Sequence, residues 1–360
     1  MKKFVMKNSK YSLSGVFCLT ASLMMFSASQ SQGAVGETFL EDEDSVFIFT
    51  VLTEEGSTGT VAVGRSVMAG YNISGNITIP SSASNNGIRY RVTAIAADGF
   101  RGRDKLISVT IPDSVTTIGE DAFCNCANLQ TVEIPDSVTT IGNSAFYGCH
   151  SLSSIEIPGS VSILPYQLFR SCKALTDVVL GDGVTIIAQD AFGFCSSLTH
   201  LTIPDSVTDI VQYAFQYSAL ESIVIPASVK TLGKNAFTDC TNLQSVYFEG
   251  DMPETGWTIY WATPETLLTY YPTGNATWEA EIKDGMWRDR KVANWTPAPQ
   301  PGNEISFTPP DPETGVLTLT FTGTLEESDD MVNWTPVPNA KGSYDVDIKA
   351  GQKKFYRFVK

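Results

Sequence analysis

Histidine is nearly missing from this 360-residue chain, occurring only as His150 and His200. A shared zinc site, or a nucleophile served by a histidine base, therefore has little to be built from. A Walker-type phosphate loop, a dinucleotide fingerprint and a metalloprotease helix motif are missing too. Beyond residue 34 no stretch is apolar enough to span a bilayer, which takes about 20 predominantly apolar residues. Basic charge is scarce: 24 Lys and Arg face 39 Asp and Glu, for a formal net charge of −15. Such a surface repels nucleic acid and acidic lipid, so neither is expected as a partner. Tryptophan is absent before Trp257, and all six tryptophans follow from there, which marks a different unit.

The first 34 residues carry Lys2, Lys3, Lys7 and Lys10 and no acid. A largely apolar run from Tyr11 to Phe26 follows, then small residues from Ser27 to Ala34. That is the layout of a cleavable secretory signal peptide. Cys18 lacks the small residues expected just before a lipidated cysteine. Loss of the four lysines would take the net charge from −15 to −19. The mature chain is expected outside the cell, secreted or attached at the surface.

What the middle of the chain has is an internal period. Thr110-Ile111-Pro112 returns as Glu133-Ile134-Pro135 and Glu156-Ile157-Pro158, 23 residues apart each time, and later as Thr202-Ile203-Pro204 and Val224-Ile225-Pro226. Further columns keep the register: Leu129, Leu152, Leu175 and Leu198; Phe123, Phe146, Phe169 and Phe192; Cys126, Cys149, Cys172, Cys195 and Cys240. Between Phe215 and Leu220 the period is one residue short.

Within one unit, Leu129 to Ile134 alternates as a short strand, with Val132 and Ile134 on one side and Thr131 and Glu133 on the other. Pro135 ends it for want of an amide proton, and Asp136-Ser137 supplies turn chemistry. Val138 and Ile141 form a second apolar pair before the Ala145-Phe146 corner. One unit cannot bury its apolar side alone, so units must stack, each strand about 4.8 Å from the next in a parallel ladder. Phe146 should then lie over Phe123 and beneath Phe169 in one shared interior.

The motif Leu-x-x-Val-x-Ile-Pro-x-Ser-Val-x-x-Ile-Gly-x-x-Ala-Phe-x-x-Cys, complete from Leu129 to Cys149, resembles the BspA-type (Treponema pallidum type) leucine-rich repeat of bacterial surface proteins. The resemblance covers about residues 55 to 248. It implies a β-rich leucine-rich-repeat solenoid of stacked parallel strands, and an extracellular interaction role, adhesion included, without naming a ligand. Local departures are Pro165 to Leu168 in place of Gly-x-x-Ala, Gly181 in place of proline and Ser218 in place of cysteine.

The expected organisation runs from a signal peptide at 1–34 through a leader and capping coils at 35–98 to repeats of about 23 residues at 99–248. A C-terminal cap with a Pro-rich linker then fills 249–300, and a small β-sandwich-like module 301–360. The tryptophan-rich stretch reads either as aromatics closing the open end of the solenoid or as a carbohydrate-stacking platform.

Several side-chain sets carry more than one reading. The column cysteines read as buried thiols filling the core, with disulfides as the alternative, and Cys124, outside the column, as the first candidate for an exposed thiol. Asp113, Asp136, Asp182 and Asp205 read as turn caps, with calcium binding along the ridge or sugar hydrolysis as the sharper options. No cofactor is expected.

The preferred binding face is the outer side of the strands. Its columns are Thr131, Ser154, Asp177, His200, Ser222 and Ser245, then Glu133, Glu156, Val179, Thr202, Val224 and Tyr247. They vary over constant core columns, as a recognition surface would, although plain solvated strand residues would look the same. The expected function is a non-enzymatic surface binding protein for an extracellular protein or glycan. The alternatives are a structural spacer anchored by the C-terminal module and a glycoside hydrolase.

Overall fold

The computed structural model describes residues 35–40, 47–55, 57–64 and 73–295, and the backbone of six further strands between 306 and 359. The expected signal peptide, Cys18 and the Pro297–Pro301 linker lie outside the described residues.

Each repeat closes one coil of a solenoid with three walls. The first wall comes from the alternating run expected as a strand. Leu106–Thr110 pairs in parallel with Thr131–Glu133, Ser154–Ile157 with Asp177–Leu180, and Ser222–Ile225 with Ser245–Phe248. Alternation buries Val132, Ile155, Ile157, Ile223 and Ile225 inside. The ladder is not continuous: residues 201–204 form no strand, in the coil whose leucines, Leu198 and Leu220, are one residue closer than the period. There His200 and Thr202 still face out while Leu201 and Ile203 are buried, so the alternation survives the loss of the ladder.

At the end of this wall the Pro carbonyl accepts from the Val amide three residues on, at 3.0 Å for Val115, Val138, Val161 and Val207. Serine ties the turn to its neighbour: Ser137 Oγ donates to the Val115 carbonyl and Ser206 Oγ to the Val184 carbonyl, both at 2.7 Å. After Asp136 and Asp205 the expected capping role thus falls to the serine that follows. Asp113, Asp136, Asp182 and Asp205 point into solvent.

A second parallel ribbon was not foreseen. It consists of two-residue strands: Thr117–Ile118 pairs with Thr140–Ile141, and Ile163–Leu164 begins a series through Ile186–Ile187, Asp209–Ile210 and Thr231–Leu232 to Glu254–Thr255. Strands this short carry one inward side chain each, so no alternation announces them.

The third wall is built on left-handed residues. Asp98, Asp121, Ser144, Gln167, Asp190, Tyr213 and Asn235 have positive φ, as do Gly102, Asn125, Gly148, Ser171, Phe194, Tyr217 and Asp239 four residues later. This zigzag turns amides along the solenoid axis: Asp121 N–H donates to Asn143 O at 2.9 Å, Phe123 to Ala145 at 2.8 Å and Asn125 to Tyr147 at 2.7 Å.

Phenylalanines from this wall fill the interior. From Phe100 through Phe123, Phe146, Phe169, Phe192, Phe215 and Phe237 to Tyr260, successive rings stack at centroid distances from 5.2 to 6.1 Å. Phe146 lies 5.3 Å from Phe123 and 5.7 Å from Phe169, as a shared interior requires. Edge-on rings close the stack, Phe47 against Phe100 and Trp287 against Tyr260, each at 80°.

The column thiols do more than fill space. Each donates to the phenylalanine carbonyl of the preceding coil, Cys126 to Phe100 at 3.0 Å, Cys149 to Phe123 at 3.2 Å and Cys172 to Phe146 at 3.1 Å. All six described cysteines are unpaired and buried. Cys124 corrects the expectation of an exposed thiol: it is only 3% exposed.

At the N-terminal end Phe49–Glu55 and Thr58–Val63 form an antiparallel hairpin, and Thr58–Val63 leads in parallel onto Ile88–Ile95. Stacking continues past Phe248. Leu268–Pro272 adds in parallel to Ser245–Phe248, Arg290–Trp295 adds to Leu268–Pro272, and Met286–Trp287 folds back antiparallel on the last strand. Further on, Val316–Thr320 pairs antiparallel with Ser306–Thr308 and Ser343–Asp347, and Thr324–Ser328 with Thr335–Pro336 and Phe355–Val359. These strands make two three-stranded antiparallel sheets.

Candidate binding surfaces

The first wall presents the expected columns. Register pairs Ser154 with Asp177 and Glu156 with Val179, and further along Ser222 with Ser245 and Val224 with Tyr247. Thr131, Glu133, Ser154, Glu156, Asp177, Val179, His200 and Thr202 are exposed, whereas Ser222, Val224 and Ser245 are half-buried. The exposed part is acidic at Glu133, Glu156 and Asp177. His200 Nδ1 lies 2.9 Å from Thr199 Oγ1.

Tyr247 does not belong with them. It is 5% exposed, stacked at 4.4 Å on Tyr270 and covered by Trp295 at 4.9 Å. The column that carries it runs on into coils lacking the repeat's signature, and their aromatics close over it. The open face therefore ends near Thr202.

At the opposite end of this wall, next to the turn ridge, is an open cleft of about 630 Å³ lined by Thr110, Pro112, Asp113, Ser114, Glu133 and Pro135 among others. It brings Asp113 of the turn column near Glu133 of the strand column. Among the described residues no three His, Cys, Asp or Glu side chains are grouped to hold a metal ion. His150 Nδ1 lies 2.9 Å from the Ser171 carbonyl, in another part of the coil from His200.

Sequence reasoning passed over the third wall, which carries a polar and aromatic strip. Arg170 stacks 4.5 Å over Phe194 and pairs with the buried carboxylate of Asp190, which also accepts from Gln216. Phe194 in turn stacks on Tyr217 at 4.5 Å. A hydrogen bond to Asp239 holds the Tyr217 phenol above its ordinary pKa. Arg170, Phe194 and Tyr217 thus cover one another's faces in a row. Farther along the same wall, Trp257 and Trp261 stand 84% and 66% exposed. The missed signal was the Asp, Asn and Gly at the left-handed positions of several coils, residue types that tolerate positive φ.

The model of the BspA type leucine rich repeat region matches residues 93–219 and 163–269, with six copies. Among solved structures, a leucine-rich repeat protein from Bacteroides ovatus is 23% identical, covering 62% of this chain and 69% of that one, with a TM-score of 0.41. A leucine rich cell surface protein from Faecalibacterium prausnitzii is also 23% identical, covering 66% and 73%, with a TM-score of 0.41. The T. pallidum leucine rich repeat protein is 25% identical, covering 66% and 92%, with a TM-score of 0.40. No curated protein matches the chain. Through residues 93–269 the chain belongs to the proteins built on the BspA type leucine rich repeat.

Proposed function

We propose that the protein is exported and works at or outside the bacterial cell surface as a binding protein. In this reading the long-strand face from Thr131 to Thr202 engages an extracellular protein or glycan. One observation carries the reading: exposed side chains that differ from coil to coil stand on an interior whose Leu, Ile and Phe columns barely change. A fixed scaffold with a variable face suits recognition, since ordering costs little on binding. The family match, the acidic surface and the basic, then apolar, N-terminal segment support the same reading.

Solid-phase binding to a panel of extracellular proteins and glycans tests it, comparing wild type with a variant changed together at Glu133, Asp177 and His200. These side chains are exposed, so the variant should fold normally, and its binding should fall at least tenfold. Equal binding by the two proteins removes this face from consideration.

A second reading makes the solenoid a spacer and the C-terminal module an anchor, favoured by the separate antiparallel sheets beyond the Pro-rich segment. Release into the medium of a chain ending at Pro301 would support the anchor, and unchanged retention would speak against it.

A further inference from the structure

Closing the C-terminal end of the solenoid needs aromatic area, and other rings supply it. Trp278 and Trp287 are 0% and 2% exposed, and they pack on Phe248 at 4.7 and 5.8 Å. Trp257 and Trp261 contribute little to that closure. Flanking the buried Ile259 and Tyr260 in one coil, they project from the third wall at 84% and 66% exposure. Two indoles left in water on one coil cost solubility unless something covers them.

A cation stands beside one of them, Trp257. The Arg288 guanidinium lies 4.4 Å over the Trp257 ring and 5.5 Å from Trp287. Its Nη2 donates to Thr255 Oγ1 at 3.0 Å, while its Nε is buried with no partner. Among the described residues the arginines in ion pairs are Arg101 and Arg170, and Arg288 has no carboxylate partner there. Its neighbour Arg290 is spent on structure, donating to the carbonyls of Tyr260 at 3.3 Å and Thr263 at 3.0 Å.

The backbone holds Arg288 in place at a cost. Trp287 pairs with Arg290, so Arg288 and Asp289 are the two-residue tip of a hairpin, with φ of 50° and 60°. Such turns favour Asn-Gly, and a long side chain in the left-handed region is strained. Lys234, exposed one coil earlier in the column of Trp257, adds a second positive charge.

We propose that Trp257, Trp261, Arg288 and Lys234 form a site for a polysaccharide whose pyranose rings bear carboxylates. The indoles would stack on the C–H faces of the sugar, and the guanidinium, with free donors, would pair with the carboxylate. A glycan suits the site better than an acidic protein. Two indoles offer far less than the roughly 800 Å² per partner of a stable protein interface. The site is separate from the long-strand face and does not rest on it.

Affinity electrophoresis of the full mature chain through gels containing polygalacturonate or hyaluronate tests the proposal. Neutral dextran, dextran sulfate and poly-glutamate gels run alongside. Retardation is expected in the two uronate gels alone, weakening with added salt, with quenching or a shift of tryptophan fluorescence. The double variant W257A/W261A should bind at least tenfold more weakly with an unchanged melting temperature. R288Q should lose most uronate binding. The variant at Glu133, Asp177 and His200 should bind uronates as wild type does, which separates this site from the strand face. Equal retardation by dextran sulfate or poly-glutamate would reduce the effect to general anion attraction and overturn the proposal. So would equal retardation by dextran, no retardation by either uronate, or uronate binding that W257A/W261A leaves intact.

Discussion

Phe169 lies between Phe146 at 5.7 Å and Phe192 at 5.5 Å, fully buried. Phe169→Ala removes a ring from the middle of the stack, and the coils on either side, both hydrogen-bonded to the coil of Phe169, cannot collapse into the space. The expected loss is about 3–5 kcal/mol in denaturant unfolding, against about 0.5 kcal/mol or less for Glu156→Ala on the surface. The thiol column makes a pH prediction. Desolvation pushes Cys126 and Cys195 up to about 12 and Cys240 up to about 11, and carries Cys149 and Cys172 well above the ordinary thiol value. An unfolded thiol ionises near about 8.5, so above that pH the unfolded chain sheds protons that the folded chain keeps. The stabilisation these groups provide is complete below about pH 8.5 and is lost as pH rises toward the folded values. The unfolding free energy from urea titrations should fall steeply from pH 9 to 11, by up to about 1.4 kcal/mol per pH unit for each thiol. A flat profile there would mean the thiols are not sealed inside.

At the scale of one element, the turn between walls shows how a repeat can be locally at odds with its own consensus. Position 183 is glycine where other coils have Ser114, Ser137, Ser160 and Ser206. A Cβ there would stand 1.8 Å from the Gly159 carbonyl oxygen, because Gly181 and Gly183 let this turn settle closely on the one before. Gly183→Ser, although it restores the consensus, should therefore destabilise the protein by about 1–3 kcal/mol, read as a lowered melting temperature.

The same scale shows what the sequence discloses and what it hides. The long strands were legible because five or six alternating residues in phase with a 23-residue period leave a clear pattern, and Phe146 stacks as that pattern requires. The second ribbon was hidden because two residues, such as Thr140–Ile141, are too few to alternate. The third wall was half visible: Asp98, Asp121, Asn125 and Gly148 suit left-handed backbone, but Gln167, Phe194 and Tyr217 do not. Tyr247 was misjudged because the coils that cover it, from Leu268 on, have lost the Leu-x-x-Val-x-Ile signature. Arg288 gave no turn signal, since the hairpin it tips carries Arg-Asp in place of Asn-Gly.

Over the whole molecule, walls with separate ladders are joined by one interior, sealed at one end by Phe47 and at the other by Trp278 and Trp287. Each coil touches only its neighbours, so stability is a chain of nearest-neighbour terms and a defect in the middle is shared outward. Rigidity of this kind is what would let widely separated side chains, Glu133 on one coil and His200 three coils later, act as the one surface proposed above. The most direct test is native-state hydrogen exchange along residues 100 to 248, in wild type and Phe169→Ala. With one continuous interior, amides of the central coils should share a common opening free energy, and the substitution should lower it on both sides of residue 169, from Phe123 to Phe215. Loss of protection confined to the coil of Phe169, with its neighbours at wild-type levels, would contradict a shared interior and the proposed recognition surface that depends on it.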